Sequence, residues 1–115
     1  MKQKKISPAN QLAKIVILKC NAAGMYVWRN NTVGVFDPVK KIYRQNVTHR
    51  GVGDVIGVTK DGRHIEFEIK IGRDSQNEFQ IAHEKEIVKR NGLYFVVKDE
   101  SDVDKFLHIV KYGYV

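Results

Sequence analysis

A strict alternation of residue types between positions 64 and 71 constrains the fold more than any other feature of this sequence. The segment reads HIEFEIKI, so every second residue is apolar and the residues between them are polar or charged. A period of two with β-branched and aromatic residues predicts a β-strand with one apolar and one charged face. Another apolar run occupies residues 55–58, and Lys60, Asp61 and Gly62 stand between the two runs. An Asp-Gly pair in that position predicts a β-hairpin.

The length of the hairpin loop decides which side chains share a face. A two-residue turn at Asp61 and Gly62 would place Asp54 and Glu68 on opposite faces of the sheet. A three-residue loop with a left-handed Gly62 shifts the pairing by one residue and sets Asp54 opposite Glu68. We predict the three-residue loop, or a local bulge with the same effect.

The charged face of this hairpin carries groups with a defined chemistry. Glu68 and Lys70 are two residues apart, so their side chains leave the strand on the same side. Two carboxylates, from Asp54 and Glu68, are typical ligands of Mg²⁺, and a nearby lysine can stabilise negative charge or help to deprotonate water. The set suits metal-assisted hydrolysis of a phosphodiester. The same pattern also fits an exposed hairpin whose outer face is only charged, and we expect Glu66 to be a solvated acid at the margin of the set.

The distribution of charge indicates a phosphate-binding surface. The formal net charge is +7, and residues 1–50 carry ten Lys or Arg against one acid, whereas residues 51–115 carry ten against twelve. A basic half beside an acid-bearing half favours a polyanion-binding surface next to a metal site. Charge alone does not separate nucleic acid from an acidic membrane surface.

Length and composition favour a single domain, residues 1–115, whose first six residues form a short basic arm. The sequence lacks an apolar stretch of the roughly 18 residues that a membrane span needs, and Lys14 and Lys19 interrupt the apolar patch near the N-terminus. We therefore expect a cytoplasmic protein without a membrane partner. The single Cys20 is expected to be a core thiol, and the spacing of the four histidines argues against a zinc site.

The remaining elements predict a mixed sheet flanked by helices, in the order α-β-(β)-β-β-α-β-α. The first helix is expected from Ser7 and Pro8 to about residue 23, followed by strands near residues 25–28 and 33–36, with Trp28 in the core. Residues 40–50 are expected to form an irregular loop over the site. Ser75 and Ser101 are the expected caps of the next two helices, and residues 93–97 a strand that is buried on both faces.

With these elements placed, the sequence resembles the VRR-NUC family of the PD-(D/E)xK nuclease superfamily, and in particular its small stand-alone, phage-type members. The resemblance covers roughly residues 8–107, and its specificity comes from the order and spacing of short motifs. The matching residues are Gly53-Asp54, Glu68-Ile69-Lys70, Gln80, the segment GLYFVV at 92–97 and the segment WRNN at 28–31. The resemblance implies an α/β restriction-endonuclease-like core, α-β-β-β-α-β.

The resemblance also implies roles for single residues. Asp54, Glu68 and the backbone carbonyl of Ile69 would bind Mg²⁺, for which Mn²⁺ would substitute. Lys70 would be the catalytic lysine, and Gln80 would face the site from its helix. Such families often add a glutamate from the first helix, but this chain has no acid before Asp37. Gln11 is the nearest polar candidate by position, and a neutral amide adds no charge to the site.

The implied substrate is DNA, in particular branched DNA such as a Holliday junction, and the implied assembly a homodimer, since symmetric cutting of a junction needs two sites. Residues near the motifs are expected to contact DNA: Arg29, Asn30, Arg44, Arg50 and Arg73. Two other functions stay open at this point. One is a DNA-binding module that kept the fold without the chemistry, and the other is a basic scaffold or packaging protein with a fortuitous motif.

Overall fold

The computed structural model describes residues 6–30, 35–44 and 50–113, without the side chains of 35–37 and 42–44. Three helices and six strands are defined within these ranges. Their bounds are α1 (Pro8–Ala22), β1 (Tyr26–Arg29), β2 (Val35–Asp37), β3 (Ile42–Arg44), β4 (Val55–Val58), β5 (His64–Ile69), α2 (Glu78–Lys89), β6 (Leu93–Val97) and α3 (Glu100–Tyr112).

The larger sheet has four strands in the order β1-β4-β5-β6, and β2 and β3 form a separate antiparallel pair. β1, β4 and β5 are antiparallel neighbours, whereas β6 runs parallel to β5. A parallel pair needs a long crossover, which here contains α2. The mixed sheet with flanking helices confirms the α/β, restriction-endonuclease-like fold that the sequence predicted.

The hairpin has the predicted three-residue loop. Thr59 donates its backbone N–H to the carbonyl oxygen of Arg63 at 2.8 Å, which leaves residues 60–62 as the loop. Gly62 has a φ of 87°, the left-handed conformation that this loop demands. Val55 therefore pairs with Phe67, and the same register carries Asp54 to a position beside Glu68.

The apolar face of the sheet packs against α1 and α3. Ile65 and Phe67 of β5 are buried together with Val16 of α1 and Val103 of α3. Cys20 of α1 is also fully buried, and burial raises the pKa of its thiol to about 12. The expectation of a core thiol is therefore confirmed, because such a group stays protonated at neutral pH.

Two of the predicted helix caps were wrong. Asn77, not Ser75, caps α2: its side chain accepts from the backbone N–H of Gln80, while the side chain of Gln80 accepts from the N–H of Asn77. Asp99, not Ser101, caps α3 by accepting the N–H of Asp102. More than one residue near the start of each helix has a capping side chain, and the sequence alone does not rank them.

Two other expectations, on the burial of Trp28 and on the loop at residues 40–50, were wrong. Trp28 is 45% exposed, because alternation along β1 gives the buried position to Val27. Residues 40–50 are not wholly irregular, since Ile42–Arg44 pairs with Val35–Asp37. The rest of that predicted loop, residues 45–49, and the start of the strand predicted at 33–36 lie outside the described residues. Within the described part of the chain, no helix is long and apolar enough to cross a membrane.

Candidate active site

The acids on the charged face of β5 are buried under neighbouring elements, although His64 at the start of the strand is exposed. Glu66 and Glu68 are only 1% and 3% exposed, and the side chain of Lys70 is 13% exposed. The alternative of an exposed, merely charged hairpin is therefore wrong for this face, and so is the expectation that Glu66 is a solvated acid. Burying carboxylates is costly unless they are hydrogen-bonded or paired, so each must have partners that stabilise it.

Main-chain contacts fix the position of Asp54, which lies immediately before the start of β4. Its carboxylate oxygen Oδ2 accepts the backbone N–H of Ile69 at 2.7 Å, and its backbone carbonyl accepts the N–H of Asn30 at 2.8 Å. The side-chain amide of Asn30 donates to the carbonyl of Gly53 at 3.3 Å. A Cβ on Gly53 would lie 2.9 Å from the carbonyl oxygen of Phe67, so only glycine lets the chain approach β5 this closely.

Both oxygens of Glu68 are held by hydrogen bonds. Gln80 donates its amide Nε2 to Oε1 at 2.8 Å, and the hydroxyl of Tyr94 donates to Oε2 at 3.2 Å. The ammonium of Lys70 lies 3.7 Å from Oε1. Burial and the neighbouring Glu68 raise the pKa of Tyr94, so its hydroxyl keeps the proton that it donates. Glu68 is thus oriented by an amide and a phenol, with the lysine alongside.

The electrostatics of this pair favour a bound cation. The pKa of Glu68 is raised to about 8, first by burial and then by the Asp54 carboxylate within hydrogen-bonding reach, while Lys70 opposes the shift. Two adjacent carboxylates cannot both be ionised cheaply in a buried site unless positive charge is added. A divalent cation would supply that charge.

The donor set fits magnesium. Carboxylate oxygens of Asp54 and Glu68 are the hard ligands that Mg²⁺ prefers, and it keeps several waters beside one or two carboxylates. Because the N–H and C=O of one residue point to the same side of a strand, the carbonyl of Ile69 is directed to the side on which its N–H meets Asp54. In the described ranges, no group of three or more His, Cys, Asp or Glu is arranged to hold a metal ion. The set is thus two carboxylates and a carbonyl.

The raised pKa gives a testable pH dependence. Below about pH 8 the metal-free protein holds a proton on Glu68, and a Mg²⁺ ion that used this carboxylate would have to displace it. We expect the Mg²⁺ affinity to rise about tenfold per pH unit up to about pH 8 and then to level off. The raised pKa of Glu68 also affects the free energy of unfolding of the metal-free protein. The contribution of Glu68 is full below its ordinary pKa of 4.5 and is lost as the pH rises through about 8. Calorimetric titration across that range measures the first effect, and an affinity that does not change with pH would contradict it.

Glu66, which is itself fully buried, is the centre of a second cluster beside the first. Its Oε1 accepts the backbone N–H of Gly53 at 2.7 Å, and its Oε2 lies 2.6 Å from Nε2 of His64 and 2.9 Å from Nε2 of His83. Burial acts to raise the pKa of Glu66, but the Gly53 N–H and the two imidazoles outweigh it, so its pKa lies below the ordinary value. The available signal was the alternation itself, which puts Glu66 on the same face as Glu68.

The other predicted site residues lie in different surroundings. The guanidinium of Arg50 lies over the ring of Phe79, 4.9 Å from its centroid, while Arg29 and Arg73 are exposed. Arg44 lies in β3, and its side chain is outside the described residues. The amide of Gln11 donates to the carbonyl of Ile6 at the start of α1. Asn30 is engaged with Gly53 and Asp54, so it holds the main chain of the site whether or not it meets DNA.

Comparison with solved structures shows what this fold is. The chain is similar to a structure described as a VRR_NUC domain, with a TM-score of 0.63 and 17% sequence identity, over 95% of this chain and 100% of that one. No family model and no curated protein matches the sequence. The chain therefore has the fold of a VRR_NUC domain, and the fold expected from its motifs is confirmed.

Proposed function

We propose that this protein is a metal-dependent endonuclease that hydrolyses phosphodiester bonds in DNA. The observation that carries the proposal is the meeting of the Asp54 and Glu68 carboxylates beside Lys70, in a buried site on the fold of a VRR_NUC domain. Two carboxylates, of which Glu68 has a raised pKa, and a nearby ammonium are the groups that metal-assisted hydrolysis uses.

Each residue has a role that follows from its contacts. Asp54, Glu68 and the carbonyl of Ile69 would hold Mg²⁺, and Mn²⁺ would substitute because it accepts the same oxygen ligands. When bound, such a cation lowers the pKa of a water and neutralises charge on the phosphate. Gln80 and Tyr94 fix the orientation of Glu68, since each donates to a different oxygen. Each carboxylate oxygen has a second lone pair, which stays available to a cation.

Lys70 supplies the positive charge that the chemistry needs at the phosphate. Its ammonium is held near Glu68 in a site of low exposure, where electrostatic interactions are stronger than in water. A charge fixed there stabilises the negative charge that develops on a phosphoryl oxygen, without reorganising during the reaction. The lysine can equally help to deprotonate the attacking water.

Binding of DNA is attributed to the basic half of the chain, which includes Arg29, Arg44 and Arg50, with Arg73 adding a cation from the other half. The substrate we propose is branched DNA such as a Holliday junction. Symmetric cutting of a four-way junction needs two active sites, so a homodimer is part of the proposal. The supports are the excess of positive charge and the resemblance of the motifs to stand-alone VRR-NUC proteins.

One observation favours a second candidate, a non-catalytic DNA-binding module. Helix α1, PANQLAKIVILKCNA, contains no acid, so it offers no further carboxylate to the site. A site with two carboxylates binds fewer cations than a site with three. A protein that cannot bind a cation needed for cleavage would still bind DNA but would not cut it. The intact set of Asp54, Glu68 and Lys70 makes the nuclease the better candidate.

The experiment that separates the two candidates is a cleavage assay on linear, flap and four-way DNA. We expect cutting with Mg²⁺ or Mn²⁺, fastest on four-way DNA, and none with a chelator or in an Asp54→Asn variant. DNA binding without cleavage under every metal condition would favour the binding module. Equal rates on all three substrates would support the nuclease but not its preference for branched DNA.

A further inference from the structure

The side chain of Glu66 accepts a backbone hydrogen bond from the residue next to a proposed metal ligand. The N–H that donates to its Oε1 belongs to Gly53, the residue before Asp54. Gly53 and Glu66 are also in close contact, because a Cβ on Gly53 would lie 3.1 Å from the Cβ of Glu66. The main chain that carries Asp54 is thus anchored to β5 through the Glu66 carboxylate.

The two imidazoles hold that carboxylate in place. His64 approaches from β5 itself and His83 from α2, and both Nε2 atoms lie within 3.0 Å of a Glu66 oxygen. The anchor therefore joins β5, α2 and the segment before β4. A buried carboxylate held by three donors has little freedom to rotate, which makes it a rigid acceptor for Gly53.

The consequence reaches the metal ligands through a chain of hydrogen bonds. Gly53 is held by Glu66 on one side and by the amide of Asn30 on the other. Asp54 follows at once, and its carboxylate accepts the N–H of Ile69. Displacement of Gly53 would move the Asp54 carboxylate away from the N–H of Ile69 and from the Glu68 carboxylate. The chemical identity of these three groups would stay the same.

We propose that Glu66, held by His64 and His83, is a positioning residue that sets the Asp54 carboxylate beside Glu68 by fixing the backbone of Gly53. The role rests on the proposed function in one respect, that Asp54 is a metal ligand. Glu66 does not bind the metal in this proposal. Removal of a group that orients a metal ligand without binding the metal itself typically lowers metal affinity or activity by about 10–100-fold.

Two substitutions of Glu66 separate position from charge. Glu66→Gln loses the charge but keeps the length, so its amide oxygen can accept from Gly53 and its NH₂ can donate to an unprotonated imidazole nitrogen. Glu66→Asp keeps the charge but is shorter by one methylene, which withdraws the acceptor from Gly53. Glu66→Ala removes both. Val103→Ala, at a core position of α3, is the control for a general loss of stability, because Val103 is fully buried on the other face of the sheet.

Three measurements are made on each folded variant: hydrogen exchange of the Ile69 amide by NMR, the dissociation constant for Mg²⁺ by calorimetry, and single-turnover cleavage. We expect Glu66→Asp to accelerate Ile69 exchange and to weaken Mg²⁺ binding and cleavage by about tenfold or more, with Glu66→Ala at least as impaired. Glu66→Gln should stay within about threefold of the parent. Val103→Ala should lower the thermal midpoint and leave the Mg²⁺ affinity unchanged.

The proposal is overturned if Glu66→Asp keeps parental Ile69 exchange and Mg²⁺ affinity. It is also overturned if Glu66→Gln is the more impaired of the two, which would mean that charge matters and position does not, or if Val103→Ala has the same effects. Should Glu66→Ala fail to fold, the Asp and Gln variants still decide. If the parent neither binds Mg²⁺ nor cuts DNA, the proposed function fails, while Ile69 exchange still tests the positioning by Glu66.

Discussion

Glu68→Gln is expected to abolish cleavage and to weaken Mg²⁺ binding strongly. The amide keeps the size of the side chain and can still accept from Gln80 or Tyr94, so the surrounding hydrogen bonds are disturbed little. What is lost is the negative charge, and a neutral amide is a poor ligand for magnesium. Calorimetric titration with Mg²⁺ and single-turnover cleavage measure the two effects on the same preparation.

The same variant separates metal binding from DNA binding. With metal withheld, the variant should bind DNA as tightly as the parent below about pH 8, where Glu68 of the parent is already protonated. Above that pH it should bind somewhat more tightly, because a carboxylate that repels phosphate has been removed. Glu78→Gln, which neutralises an exposed glutamate at the start of α2, is the matched control and should cut at the parental rate. A Glu68→Gln variant that still cuts DNA would show that Glu68 is not a metal ligand.

The parts of this fold that local chemistry decides could be predicted from the sequence. The alternation over residues 64–71 specifies a strand, and a left-handed Gly62 in a three-residue loop specifies the register of the hairpin. That register brings Asp54 beside Glu68, so the centre of the site follows from the hairpin alone. The apolar run at 93–97 was likewise recognisable as a buried strand.

Features that depend on tertiary packing could not be predicted in the same way. A strand with a charged face is usually solvated on that face, but here α2 and β6 bring His83 and Tyr94 to it, and Glu66 and Glu68 become buried. Trp28 shows the reverse, since an aromatic residue expected in the core lies on the outer face of an edge strand. Periodicity gives the direction of a side chain, not what covers it.

The contacts of Gln80 illustrate why a motif residue needs its structure. From sequence, Gln80 is a polar residue in the first turn of a helix, where it completes a capping box with Asn77. In the structure its Oε1 serves that cap while its Nε2 donates to Glu68. One amide therefore fixes both the start of α2 and the orientation of a proposed metal ligand, which is a dual constraint that no single pattern reveals.

Lys70→Ala is expected to slow single-turnover cleavage by about a hundredfold or more while leaving metal binding intact. The substitution removes no oxygen ligand, so Mg²⁺ should bind as well as before. It should bind even more tightly where the substitution removes the repulsion between the cation and a positive charge 3.7 Å from Glu68. The pKa of Glu68 should rise further without the lysine, since Lys70 is the charge that opposes its elevation. Part of any gain in metal affinity is therefore expected only above about pH 8.

The separation of the two effects is what makes Lys70→Ala decisive. Lys60→Ala, in the loop at the far end of the same hairpin, removes the same charge from an exposed position and should cut at the parental rate. If Lys70→Ala lost Mg²⁺ affinity in step with activity, the lysine would be holding the site together instead of acting on the phosphate. If it cut at the parental rate, Lys70 would have no part in the chemistry, and the carboxylate pair would have to provide all of it through the metal. A large loss of rate with unchanged metal and DNA affinity is the pattern that only stabilisation of the transition state produces.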